Sequence, residues 1–144
     1  VCLMFTGCSN SETNSTSRGL TDFAHIEEEY LATIDSLNWP DGIALPDKLE
    51  DEDTGASFQV GYGETRASYL WEYSWMKEWL DTYNTDPERA EKALEELEKA
   101  FDMPYMGIDR CDDATRNYLR ENIDKAKLGD PSGFTESIRA NYAN

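Results

Sequence analysis

The stretch Gly61–Asn84, GYGETRASYLWEYSWMKEWLDTYN, decides the fold. It holds three of the four tryptophans and four of the eight tyrosines in 24 of the 144 residues. No other segment carries as much apolar area, and aromatic side chains dominate core energetics. At 100° per residue, Tyr69, Tyr73, Met76, Leu80 and Tyr83 make one stripe, and Ala67, Trp71, Trp75 and Trp79 a second beside it. Arg66, Ser74, Lys77, Asp81 and Asn84 share the other side. A surface helix needs about 100° of apolar arc, and this one has more. The pattern therefore predicts a central helix packed on more than one side, or one with aromatic surface left for a partner. Trp71, Glu72, Trp75, Trp79 and Tyr83 are the candidate ligand or partner surface.

Glu72 stands between the two stripes, away from the polar side. A carboxylate there is desolvated, which raises its pKa unless a cation or donors satisfy it. Its neighbours one turn away are Ser68, Tyr69, Trp75 and Met76, so a partner must come from another helix. Arg116 and Arg120, or Trp and Tyr donors, are the candidates. A structural ion pair or hydrogen-bond hub is the plain expectation, and an acid–base or binding carboxylate the sharper one.

Four further helices are predicted around the central one. Phe23, Tyr30, Leu31, Ile34 and Leu37 recur at helical spacing over about Thr21–Leu37, with Thr21 as the cap. His25, the single histidine, points off that stripe and reads as solvated. Asp86-Pro87 starts a helix to about Phe101, carrying Ala90, Ala93, Leu94, Leu97 and Phe101 on a narrow stripe. Glu88–Lys92 and Glu95–Lys99 are favourable pairs at spacing four. Asp112–Leu128 forms the next, with Cys111, Tyr118, Leu119 and Ala126 inward, and Asp130-Pro131 starts a short last helix through Phe134, Ile138 and Tyr142.

Between the first and central helices, Trp39-Pro40, Asp41-Gly42 and Leu45-Pro46 are turn signals, so a long connector is expected there. Its acidic run Leu49–Gly55 invites a calcium reading. An EF-hand counted from Asp51 would put Ala56 at the required glycine and Tyr62 at the closing glutamate. The run is therefore expected to be a solvated loop, open at most to weak cation binding. Met103–Gly107 is expected to cover a core edge. The fold class is thus all-α: a single small bundle of four to five helices.

The net charge of −17 opposes nucleic-acid binding, which requires a basic footprint. It also opposes electrostatic adhesion to anionic lipid. No metal or cofactor spacing, Ser/His/Asp arrangement or phosphate loop stands in the chain, so no cofactor and no catalytic residues are expected.

The chain opens VCLMFTGCSN. Phe5-Thr6-Gly7-Cys8 resembles a bacterial lipoprotein signal, in which the cysteine receives the lipid; Phe5 departs from the usual leucine. The resemblance implies lipidation at Cys8, palmitate among the acyl chains, and a place on the outer face of a bacterial membrane. Residues 1–8 are expected to be the signal remnant, 9–20 a flexible Ser/Thr/Asn tether, and 21–144 the acidic helical domain. Cys111 would then be alone, with no internal disulfide. The body resembles small bacterial extracytoplasmic helical proteins with no assigned activity. The likeness rests on Gly61-Tyr62-Gly63-Glu64, Tyr69–Trp79, Ala90–Ala100 and Gly129-Asp130, and it supplies no catalytic residues.

The expected function is a lipid-anchored, non-enzymatic binding or scaffolding module with an envelope protein or small ligand as partner. Two alternatives come from the central helix. One is a cell-wall glycan hydrolase using Glu72 with a second acid such as Glu64 across a cleft. The other is a receptor in which Trp71, Trp75 and Tyr83 box a quaternary ammonium group.

Overall fold

Helix α2 (Tyr62–Thr82) is the axis against which three of the four other α-helices pack. A computed structural model describes residues 19–142. These are mainly helical. Besides α2 they form α1 (Phe23–Ser36), α3 (Pro87–Glu98), α4 (Asp113–Lys127) and α5 (Ser132–Asn141), with short 3-10 turns at Lys99–Asp102 and Pro104–Met106. The one addition to the all-helical expectation is a two-residue ribbon. Strand β1 (Leu20–Thr21) runs antiparallel to β2 (Phe58–Gln59), with Leu20 opposite Gln59 and Thr21 opposite Phe58. Leu20, placed by sequence in the tether, is thus hydrogen-bonded into the fold. Thr21 lies in the ribbon, so Asp22 caps α1 instead, accepting from the His25 backbone N–H at 3.0 Å.

Two helices meet α2 on different sides. Ile26, Tyr30 and Ile34 of α1 pack with Leu49 and Ala67 in one cluster. Trp71, Trp75, Met76 and Trp79 pack with Ala90, Ala93 and Leu97 of α3, and with Tyr105, Leu119, Ile123 and Phe134, in the larger one. Sharing both neighbours is what the wide apolar arc of α2 requires. Close approach to α1 depends on Gly63: a Cβ there would stand 1.8 Å from the Ile26 carbonyl oxygen.

The start of α2 is secured from outside the helix. Its N-cap, Gly61, has φ +94° and no side chain to offer. The Glu29 carboxylate of α1 does the capping: it accepts from Gly61 N at 2.8 Å and from Gly63 N at 3.1 Å. A carboxylate here also meets the positive end of the helix dipole. His25 Nε2 sits 3.1 Å from the same carboxylate, so this side chain is tied in rather than merely solvated.

The connector between α1 and β2 is fastened at several points. Trp39 donates its indole N–H to the Ile34 carbonyl at 2.9 Å. Leu49 is buried, and its N–H donates to Glu27 at 3.1 Å. The acidic run is not simply solvated, because Glu52 accepts from the Tyr62 hydroxyl at 2.7 Å and pairs with Arg66.

Other sequence expectations shift by a fraction of a turn. Ser74, placed on the solvent side of α2, is 5% exposed; its hydroxyl donates to the Leu70 carbonyl at 2.7 Å. Ser68 and Thr82 bury their hydroxyls the same way, on carbonyls four residues back. Such back-bonding satisfies a small polar group without outside help. On α4, Leu119, Asn122, Ile123 and Ala126 face inward while Tyr118 is exposed. Lys99 pairs with Glu96 at 2.7 Å rather than with Glu95.

Candidate functional site

The three tryptophans of the candidate surface are core. Trp71, Trp75 and Trp79 are 1–2% exposed. Buried indoles need an acceptor for their N–H, and a single backbone group supplies it twice. The Asn38 carbonyl accepts from Trp71 Nε1 at 2.9 Å and from Trp75 Nε1 at 3.0 Å. Trp79 stacks on Tyr83 with ring centroids 4.5 Å apart and meets the Phe134 ring edge-on at 5.4 Å. The rings interdigitate, so Trp71, Trp75 and Tyr83 form no open box for a quaternary ammonium group. Of the five candidate residues, only Tyr83 keeps partial exposure. The aromatic ring of α2 with the most exposure is Tyr69, at 38%, which the sequence put on the inner stripe.

Glu72 is buried as well, at 6% exposure. Its partner is Tyr105, on the 3-10 turn Pro104–Met106, whose hydroxyl donates to Oε2 at 2.6 Å. Neither expected arginine reaches it. Arg116 is spent on the Met106 and Cys111 carbonyls, at 3.2 and 2.5 Å, and on Asp113. Arg120 lies over the Phe101 ring at 4.1 Å. Tyrosines surround the carboxyl instead. The Tyr69 ring stands edge-on to Tyr105 at 5.5 Å, and Tyr73 packs on Tyr142 of the α5 C-terminus at 5.0 Å. Burial therefore dominates: it lifts the Glu72 pKa to about 7, and the Tyr105 hydrogen bond offsets this only in part. Burial and the nearby carboxylate push Tyr105 and Tyr142 far above the ordinary tyrosine value.

This arrangement does not assemble a hydrolytic carboxylate pair. Glu64 is two turns before Glu72, roughly 12 Å along the helix, and it pairs with Arg110 at 2.8 Å. Retaining and inverting glycosidases hold their carboxyls about 5–10 Å apart across an accessible cleft. Glu72 is buried, with the Tyr105 hydroxyl as its partner. Among the described residues, no three His, Cys, Asp or Glu side chains converge as metal ligands would.

Two open depressions lie elsewhere, along α3 and α4. A depression of about 480 Å³ is lined by Pro87, Glu91, Leu94 and Glu95 of α3. It adjoins another of about 240 Å³ lined by Phe101, Arg120, Ile123 and Asp124. Glu98 and Lys127 line both, and their ion pair crosses between them. Sequence reasoning missed this groove. The signal was present in α3, where Glu91, Glu95 and Glu98 border one side of the apolar stripe.

The lipidation candidate Cys8 and the residues up to Arg18 lie outside the described residues. Among the described residues, no helix is long and apolar enough to cross a membrane. Cys111 is a free, half-buried thiol with Sγ 3.7 Å from Met106 Sδ. Compared with protein-family models, curated proteins and solved structures, the chain matches none of them.

Proposed function

We propose that this chain is a lipid-anchored protein of the bacterial cell envelope that acts as a non-enzymatic binding or scaffolding module. Cys8 carries the lipid, the polar tract after it is the tether, and the helical bundle is what the tether presents. The connector between α1 and β2 serves that bundle as a strap, closing the tryptophan face through the Asn38 carbonyl.

The observation that carries the reading is the enclosure of Glu72. It is the one ionisable group whose placement suggested chemistry, and its bond to Tyr105 spends it on joining α2 to the segment before α4. What the domain offers outward is an acidic surface on a chain of net charge −17. Binding rather than turnover suits such a surface.

Mass spectrometry of the N-terminal peptide, on protein isolated from its own cells, tests the anchor. The reading expects an acylated Cys8 at the mature N-terminus and recovery in the membrane fraction. An unmodified Cys8 still preceded by residues 1–7, in protein recovered in solution, would overturn it.

A further inference from the structure

We propose that the groove along α3 and α4 docks a basic amphipathic helix of a protein partner. The inference rests on the binding-module reading and names the partner's chemistry. Pro87, Glu91, Leu94, Glu98 and Phe101 succeed one another at three- and four-residue steps along one side of the α3 segment, with Glu95 beside Leu94. That side runs for roughly 20 Å, the length of a helix of about 14 residues. Helix α4 faces only its later part: the groove residues of α4 run from Arg120 to Lys127, where the helix ends.

The floor carries two apolar side chains. Leu94 and Phe101 are only partly buried against the main core, and Ile123 of α4, which also lines the groove, is itself buried. An occupant needs apolar residues at three- and four-residue spacing to meet them, as in other helix-in-groove contacts. The rim is acidic. Four acids line the groove against two bases. Lys127 is held by Glu98, and Arg120 lies on the Phe101 ring. Glu91, Glu95 and Asp124 have no ion-pair partner among the described residues. The pairing of Lys99 with Glu96 is what leaves Glu95 free.

Charge selects among occupants. A second copy would set these acids against each other, and like-charge juxtaposition opposes docking. Anionic headgroups and nucleic-acid phosphates are repelled in the same way. A helix with Lys or Arg flanking an apolar stripe complements both floor and rim.

The test titrates the isotope-labelled full chain with a 14-residue amidated peptide carrying leucines at helical spacing and lysines on either flank. Amide shifts report where it sits. The expected result is saturable binding with shifts confined to Leu94, Phe101, Ile123 and their neighbours. Glu91→Lys with Glu95→Lys weakens it about tenfold, and Leu94→Ser weakens it similarly. Glu28→Lys with Asp35→Lys, on exposed positions of α1, leaves it nearly unchanged. Shifts scattered over the surface, or equal losses in both charge-reversed pairs, would overturn the groove. Capture from the native membranes separates this failure from failure of the wider reading. If a variant combining Glu91→Lys, Glu95→Lys and Leu94→Ser retains the same partner as the parent chain, the groove falls and the module stands. If the parent chain itself retains none, the module reading falls.

Discussion

Replacing Glu72 by Gln isolates what it takes to keep a carboxyl inside an aromatic core. The Glu72 carboxyl has Tyr105 as its donor and titrates at about 7 in the fold, against an ordinary 4.5. Above about pH 4.5 the unfolded chain has released this proton while the folded chain still holds it. The folded state then binds more protons, so this group makes stability fall as pH rises from about 4.5 to about 7. Above that both states are ionised and the contribution levels off. Between pH 5 and 8 the loss amounts to about 2–3 kcal/mol. Gln never ionises, and its carbonyl can still accept from Tyr105. Its amide N–H groups need partners that the tyrosine cluster does not obviously supply, at a cost of about 1–3 kcal/mol at any pH.

Glu72→Gln is therefore expected to be less stable than the parent at pH 5, with the gap closing or reversing by pH 8. The chain's many other acids impose their own pH dependence, so the quantity to read is the difference between the two proteins. Urea denaturation followed by circular dichroism at half-unit pH steps gives it directly. In thermal melts the same change corresponds to roughly 10 °C in the Tm difference for a domain of this size. Parallel curves from pH 5 to 8 would refute the reasoning, since they require Glu72 to keep one protonation state throughout.

Other substitutions probe the framework. Gly63→Ala is expected to cost about 3 kcal/mol or more in urea denaturation, because its Cβ would force α1 from α2 at the Ile26 carbonyl. Glu29→Ala strips the start of α2 of its acceptor, and should cost about 1–3 kcal/mol and speed hydrogen exchange at Gly61 and Gly63. Trp71→Phe removes one of two donors to the Asn38 carbonyl. It should cost only about 1–2 kcal/mol by the same denaturation assay, since Trp75 keeps that oxygen bonded.

The helices were legible because their signals are local. Asp86-Pro87 starts α3 as expected, with Asp86 accepting from the Arg89 N–H at 3.2 Å. The aromatic periodicity of α2 identifies its buried sides. What was not legible depends on residues far apart in the chain. The Glu29 cap acts across 32 positions, and the Asn38 carbonyl reaches Trp71 and Trp75 across 33 and 37. No periodicity encodes which backbone oxygen a buried indole will find. Ser74 misled for a different reason: a hydroxyl that bonds its own helix carries little penalty on the inner side. Glu72 was recognised as out of place, yet its partner proved to be a tyrosine on a 3-10 turn rather than an arginine on a helix. The groove went unseen because Leu94 and Phe101 look like ordinary core residues until the end of α4 leaves them half covered.

Tryptophan accessibility tests the central claim most directly, that Trp71, Trp75 and Trp79 of α2 are interior and not a binding surface. The account predicts blue-shifted emission from the native chain and weak quenching by acrylamide, with Trp39 as the more accessible contributor. Adding choline as a probe should change neither. Emission near that of the unfolded chain, with acrylamide reaching most of the signal, would contradict it.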